Sequence, residues 1–209
     1  MKTYPKIQTV WNRDPENRNK TLIEGDWAKP EFFYLKDCPW ECTEKFDGTN
    51  IRVIWDREIL TFGRKTDNAS IPAFLFSKLQ ERFCNERMSE VFDGPVCLYG
   101  EGFGARIQGG GGNYIRDGVD FILFDVRIDN LWLRRDDVED IAKKLDIMVV
   151  PIVLVDSLEK AINFVREPVR SSIGTGMIEG LVIRPIVELL NRRGERVITK
   201  IKAKDFQKR

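Results

Sequence analysis

The stretch Glu44-Lys45-Phe46-Asp47-Gly48-Thr49-Asn50, running into Ile51-Arg52-Val53-Ile54-Trp55, constrains the fold more than any other part of the chain. A polar corner, Asp47-Gly48-Thr49, stands directly before a run rich in β-branched and aromatic residues, so the backbone turns tightly there and enters a strand. Lys45 is thereby placed at a strand end, beside a backbone corner and off any solvated helix face. That position suits a nucleophile. A lysine amine, with a reference pKa of about 10.4, attacks an electrophile only once burial or a nearby cation favours loss of its proton. Lys-x-Asp-Gly is a short pattern, and a charged hairpin turn carries the same signature. The remainder of the chain decides between the two.

Pro5, Pro15 and Pro30 punctuate the opening to Lys36, where Thr21-Leu22-Ile23 reads as a short strand or turn and no chemistry is visible. Phe32-Phe33-Tyr34-Leu35 and Trp40 read as core leading into the strand that ends at Lys45. After the corner, Ile51 to Trp55 and Ile59 to Phe62 form a hairpin around Asp56-Arg57-Glu58, closing in the polar turn Gly63-Arg64-Lys65-Thr66. Apolar residues from Pro72 to about Glu90 recur at helical spacing, which predicts one amphipathic helix with Pro72 in its first turn. Val96 to Glu101 reads as a buried strand with a glutamate at its end, followed by Gly102-Phe103-Gly104 and the run Gly109 to Gly112. No Gly-Lys-Ser/Thr follows that run, so a P-loop is rejected and a mobile loop is expected. Phe121 to Ile128, apolar from its start, belongs inside a sheet. Helices at Arg135 to Leu145 and Ser157 to Arg166 flank a strand at Met148 to Val155. The last two strands, Glu179 to Pro185 and Val197 to Lys202, are joined by a charged turn at Asn191-Arg192-Arg193-Gly194. Neither an internal repeat nor a linker interrupts this order, so one domain over residues 1–209 is expected, with 1–36 as a lead-in.

Histidine is absent from the 209 residues. This removes Ser-His-Asp and Cys-His catalysis, histidine phosphorelay and His-based zinc sites, and leaves Lys, Asp, Glu, Arg and Tyr for chemistry. A hydrophobic content of 42% is enough for a core. Charge is dense but balanced, 34 basic against 33 acidic residues, so a nucleic-acid surface has to come from local segregation of charge. The segment from Arg192 to Arg209 is locally basic, either a solvated tail or a phosphate-binding strand. Cys38, Cys42, Cys84 and Cys97 lack Cys-x-x-Cys spacing, no secretory segment precedes them, and no apolar run is long enough for a bilayer. An intracellular, cytoplasmic location with reduced thiols and no membrane partner is expected.

Strand ends thus deliver Lys45, Arg64, Glu101, Glu179 and, at alternating spacing on one strand face, Lys200 and Lys202. This set suits transfer of a nucleotide through a lysine. Two cations grip phosphate oxygens and favour loss of the Lys45 proton, a carboxylate such as Glu179 holds a divalent metal, and an aromatic ring, Phe121 or Phe124, stacks on a purine.

Five motifs follow one another in order: Lys45-Phe46-Asp47-Gly48-Thr49-Asn50, Tyr99-Gly100-Glu101-Gly102-Phe103-Gly104, Phe121 to Val126, Glu179-Gly180-Leu181-Val182-Ile183-Arg184 and Lys200-Ile201-Lys202. In this the sequence from about Lys45 onward resembles the covalent nucleotidyltransferase superfamily of ligases and capping enzymes, most of all the RNA ligase branch that includes phage double-strand RNA ligases and RNA-editing ligases. The resemblance implies an α+β fold, the antiparallel-sheet adenylation domain of the ligase and capping-enzyme type, with ATP and Mg²⁺ or Mn²⁺ as cofactors. It implies RNA as partner, as a nicked duplex or as RNA ends, joined through a lysine-AMP intermediate. Residue by residue, Lys45 would carry AMP, Glu44 would contact the adenine edge, and Glu101 would bind the ribose hydroxyls. Phe124 would stack on adenine, Arg64 would contact ribose and phosphate, Glu179 would bind the metal, and Lys200 and Lys202 would contact the α-phosphate. Asn50 stands where the RNA ligase pattern has asparagine and DNA ligases more usually have arginine, which favours RNA, while Asp47 is shared with DNA ligases and capping enzymes. A minimal ATP-dependent DNA ligase and a nucleic-acid-binding module without catalysis are the competing readings. The fifth motif can also be read as Lys202-Ala203-Lys204; the earlier pair leaves Phe206 at the family's aromatic position. No oligonucleotide-binding module follows it, so the groups that position the nucleic-acid ends are expected in this domain, in a protein partner or in a removed segment.

Overall fold

The computed structural model describes residues 3–66 and 69–206. Lys208 and Arg209 of the basic C-terminal segment lie outside the described residues. Strands β1 (Gln8–Thr9), β2 (Trp11–Arg13) and β3 (Leu22–Trp27) come first, then helix α1 (Pro30–Tyr34) and β4 (Trp40–Lys45). The hairpin of β5 (Thr49–Trp55) and β6 (Leu60–Arg64) precedes helices α2 (Ala73–Arg82) and α3 (Asn85–Val91). The long strands β7 (Val96–Gly104) and β8 (Val119–Ile128) follow, with the short β9 (Leu131–Trp132) after them. Helix α4 (Arg135–Lys144), β10 (Met148–Val149), β11 (Ile152–Asp156), α5 (Leu158–Arg166), β12 (Gly180–Pro185) and β13 (Thr199–Lys202) complete the order. The expected α+β architecture is present, and its strand pairs are antiparallel except for β1 with β13 and β10 with β8. No helix of the described residues is long and apolar enough to cross a membrane.

The chain divides into two compact units, neither of them continuous in sequence. The first takes the residues up to Pro5 and Asp47–Val150, the second Lys6–Phe46 and the residues from Pro151 onward.

In the first unit the strands run in the order β10-β8-β7-β5-β6, with β9 on β8. The apolar run of β8 lies inside this sheet as its sequence predicts. One face of the sheet is the core: Ile51, Val53 and Trp55 of β5, Leu98 of β7, and Phe121, Leu123 and Val126 of β8 pack with Leu75 and Leu79 of α2 and Val138 and Ile141 of α4. Fully burying a side chain of this kind contributes roughly 1.5–3 kcal/mol. The single helix expected from Pro72 to about Glu90 is two helices. Phe83 and Cys84 between them have extended backbone, and Phe83 drops into the core with its ring edge-on to Phe121 at 5.3 Å. The break follows Arg82, whose guanidinium holds Asp120 through Nε at 3.1 Å and Nη2 at 2.5 Å. Leu75, Leu79 and Phe83 are spaced as one helix face would be, so periodicity alone does not reveal the break. Two further boundaries differ from expectation. Gly63 and Arg64 still belong to β6, and Glu101 lies inside β7, which continues to Gly104.

In the second unit the order is β1-β13-β12-β4-β11, and β2 pairs with β3 apart from this sheet. Trp40, Cys42, Leu181, Ile183 and Ile201 line the core face, covered by Leu158, Ala161, Ile162 and Val165 of α5. That spacing puts one stripe of the helix on the sheet, and Ser157 starts it by accepting the Lys160 amide on its hydroxyl at 3.4 Å. Phe32 and Trp40 are buried as expected, but Phe33 and Tyr34 are 49% and 78% exposed and are not core. The segment is helical, so successive side chains diverge: Phe32 and, partly, Leu35 face inward while Phe33 and Tyr34 do not. The strand expected over 148–155 is split. Met148–Val149 pairs with β8, Ile152–Asp156 pairs with β4, and Val150-Pro151 separates them. Pro151 has no amide hydrogen for a ladder, and its carbonyl accepts the Glu44 amide at 3.0 Å.

Candidate active site

Lys45 is the last residue of β4, at the strand end its sequence predicts. Pairing fixes what lies beside it: Gly180 of β12 is opposite Lys45, and Lys202 of β13 is opposite Gly180. Lys45, Lys200 and Lys202 alternate with core residues and so share the sheet face turned away from the core. Glu179 enters this row just before β12. Its Oε2 accepts from Lys45 Nζ at 2.6 Å and its Oε1 from Lys202 Nζ at 2.7 Å. Gly180 makes the arrangement possible. Its φ is +155°, and a Cβ there would lie 2.0 Å from the Ile201 carbonyl oxygen. The Glu179 carbonyl in turn accepts the Ala203 amide at 2.9 Å.

Burial pushes the Glu179 carboxyl up, but Lys45 and Lys202 outweigh it, and the net shift is downward from the ordinary glutamate value. Glu179 is therefore a carboxylate held between the Lys45 and Lys202 side chains. Lys200 lies on the same strand face, opposite Val182. Lys204, of the alternative fifth motif, is exposed in a short turn after β13, and Phe206 packs on Trp11 with ring centroids 5.6 Å apart. The cysteine nearest to Lys45 on its strand is no rival. Burial, with Glu41 and Asp156 adding to it, pushes the Cys42 thiol up to about 12.

Glu44, next to Lys45 on the strand, points the other way. It is 1% exposed, accepting from the Ser171 hydroxyl on Oε1 and from the Ser172 amide, at 2.8 Å, on Oε2. Neither serine stands out in the sequence, because they belong to a short loop before β12 with no apolar period.

In the first unit the corner after Lys45 is gripped on both sides. The Tyr114 hydroxyl accepts the Asp47 amide at 3.1 Å, and Gln108 Nε2 donates to the Gly48 carbonyl at 3.1 Å. A Cβ on Gly48 would stand 2.4 Å from the Gly102 oxygen and 2.7 Å from Glu101 Cγ, so the corner requires glycine. The loop carrying Gly109 to Gly112, expected to be mobile, folds back on itself through the hydrogen bonds of Ile107, Asn113 and Tyr114 amides.

Asn50 and Glu101 lie directly opposite on neighbouring strands, on the face away from the core. Asn50 Oδ1 is buried and has no hydrogen-bond partner in the protein, the state of a polar group that a ligand or water completes. Arg64 turns its Nε to Thr49 Oγ1 at 3.0 Å and its Nη1 to the Ser70 carbonyl at 3.1 Å. The pairing of β7 with β8 shifts register at Tyr99/Gly100, where Phe124 is passed over. The bulge turns Phe124 and Asp125 off the core face that Phe121, Leu123 and Val126 occupy. Of the two candidate stacking rings, Phe121 is in the core and Phe124 is half-buried. Tyr4, from an opening in which the sequence shows no chemistry, packs edge-on to Phe124 at 5.0 Å and donates its hydroxyl to Asp125 Oδ2 at 2.5 Å.

The structure thus gathers Lys45, Glu179, Lys200 and Lys202 in one unit and Asn50 and Glu101 in the other, with Phe124 and Arg64 on strands of the latter. A carboxylate between two lysines can exchange them for a divalent cation, and a pair of lysines can hold phosphate oxygens.

A family model described as RNA ligase matches residues 38–202. No curated protein sequence matches the chain. Among solved structures the chain is similar to the Naegleria gruberi RNA ligase. An apo variant of it has a TM-score of 0.68 at 17% identity, covering 98% of this chain and 58% of that one. The same ligase with pyrophosphate gives 0.67 at 20% identity, and a variant with ATP and Mn gives 0.67 at 18%, each covering 96% of this chain and 57% of that one. At these identities the likeness is one of fold, and this chain spans less than two thirds of the length of those it matches.

Proposed function

The chain belongs to the RNA ligase family, and on that premise we propose that it is an ATP-dependent RNA ligase that joins a 5′-phosphate end to a 3′-hydroxyl end through AMP carried on Lys45. The observation that carries this reading is the cluster of Lys45, Glu179 and Lys202 at adjoining strand ends, within 2.7 Å contacts, inside the segment that the family model matches. That segment takes in residues of both units, which supports one nucleotidyltransferase domain built from the two.

Once Lys45 has lost its proton, its Nζ attacks the α-phosphorus of ATP. The N–P bond forms as the bond to the bridging oxygen breaks, and pyrophosphate leaves. A 5′-phosphate oxygen of RNA then attacks the same phosphorus, the N–P bond breaks, the amine is restored, and AMP is linked to the RNA end. The 3′-hydroxyl oxygen finally attacks the 5′-phosphate, loses its proton to solvent and displaces AMP. Lys200 and Lys202 offset charge on the α-phosphate, Glu101 binds the ribose hydroxyls, Arg64 contacts ribose and phosphate, Phe124 stacks on adenine, and Asn50 contacts the nucleic acid.

Among the described residues no cluster of three metal-ligating side chains exists. The donor set nevertheless fits Mg²⁺ or Mn²⁺, because such ions take one or two carboxylates from protein and the rest from phosphates and water. Glu179 would hold the ion, which when bound neutralises charge on the leaving pyrophosphate.

Incubation with ATP labelled at the α-phosphate, followed by denaturing electrophoresis, tests the reading. The protein is expected to carry label and Lys45→Ala to carry none while remaining folded; a labelled Lys45→Ala variant overturns it.

A further inference from the structure

Family resemblance gives Glu44 a contact with the adenine edge, yet its carboxylate is already engaged. It faces the core side of β4, the side opposite to Lys45, and accepts from Ser171 and Ser172. These serines begin the tip of a finger, residues 169–178, that leads straight into Glu179. The finger closes on itself: the Ile178 amide bonds to the Val169 carbonyl at 3.1 Å, the Ser171 amide bonds to the Gly176 carbonyl at 2.9 Å, and Arg170 bridges to Met177. The Ser171 hydroxyl, which donates to Glu44, also accepts the Ile173 amide at 3.2 Å. One end of the finger is thus pinned to the residue before Lys45, and its other end delivers the carboxylate that touches Lys45.

We propose that Glu44 is a positioning residue: its carboxylate latches the 169–178 finger through Ser171 and Ser172 and so sets Glu179 against Lys45 and Lys202. A buried carboxylate bound to one hydroxyl and one amide is a strong, directional anchor. β12 begins at Gly180 and the Glu179 carbonyl accepts the Ala203 amide, so pairing with β13 holds the C-terminal side of Glu179 and leaves its N-terminal side to the finger. The latch supplies the second restraint. The role rests on reading Lys45 as the nucleophile and Glu179 as its partner, and it assigns base recognition elsewhere.

The two roles for Glu44 separate in single-turnover lysine-AMP formation. With the latch, Glu44→Ala and Ser171→Ala each slow the step at saturating ATP by about ten- to a hundredfold, the range a small misplacement of reacting groups produces. Half-saturation by ATP and the preference for ATP over GTP stay unchanged, the double variant is no slower than the slower single one, and Ser171→Thr, which keeps the hydroxyl, restores the rate. Loss of ATP preference in Glu44→Ala with Ser171→Ala silent overturns the latch in favour of the adenine contact; unchanged rates in both variants also overturn it. Hydrogen exchange gives an independent readout: the Ser172 amide is expected to be protected in the parent protein and to exchange faster in Glu44→Ala, and equal protection counts against the latch. A parent protein that takes no label, or a Lys45→Ala variant that does, speaks instead against the ligase reading and leaves the exchange result standing.

Discussion

Lys45 and Glu179 approach to 2.6 Å with side chains only 21% and 15% exposed, so each partner leaves a poorly solvated charge behind when the other is removed. Lys45→Arg keeps a cation opposite Glu179 and should fold, but a guanidinium stays protonated and cannot attack phosphorus. Its expected signature is a melting temperature near that of the parent with no label transferred from ATP. Glu179→Gln should lower the rate of lysine-AMP formation and also destabilise, by less than the roughly 3–5 kcal/mol seen when a fully buried pair is broken. The effect on stability has a pH sign. Because the folded carboxyl titrates below the ordinary glutamate range, its contribution is complete above that range and is lost as pH falls through the lower folded value. Acid titration of stability in parent and Glu179→Gln should therefore converge at low pH and separate above it. At this scale much of the candidate cluster in the second unit is legible in the sequence, since Lys45, Glu179, Lys200 and Lys202 stand at strand ends and in an alternation that places them side by side. Tyr4, Ser171 and Gln108 are not legible, because each acts through a partner far away in the chain or on a loop without period.

Strand β12 works because its first residue has no side chain. A methyl on Gly180 would meet the Ile201 oxygen at 2.0 Å and Lys202 Cα at 2.7 Å, backbone that cannot yield without parting β12 from β13. Gly180→Ala is expected to cost more than 1 kcal/mol through strain at positive φ and to suppress lysine-AMP formation further than its loss of stability explains, measured as labelling well below the melting transition. Unaltered labelling would show that the β12 and β13 pairing does not set the site. Most elements are recoverable from sequence because alternation and turn residues mark them. The misread ones share a cause: Phe83 continues a helical period while its backbone is extended, and the apolar run 148–155 hides Pro151, where one strand gives way to another in a different sheet. Local pattern registers which residues are apolar, while tertiary pairing decides what they join.

For the molecule as a whole, a formal net charge of +1 offers no broad attraction for nucleic acid, so binding to RNA should be weak and should fall with added salt. Sealing one nicked duplex made four ways, with ribose or deoxyribose on each side of the nick, is expected to be fastest when the 3′-hydroxyl strand is RNA, read partly through its 2′-hydroxyl; faster sealing with deoxyribose there would move the assignment to a DNA ligase. The order in which the chain visits its two units has a further effect, on how the protein is born. Strand β4, with Lys45 at its end, leaves the ribosome before both of its neighbours, β11 and β12, which are residues 152–156 and 180–185. Strand β4 must wait, unpaired on both edges, until residues up to 185 have been translated, whereas β5, β6, β7 and β8 can pair as they emerge. Slow elongation past residue 150 would prolong the exposure of β4, and that interval is when a holding chaperone would matter most to the yield of active protein.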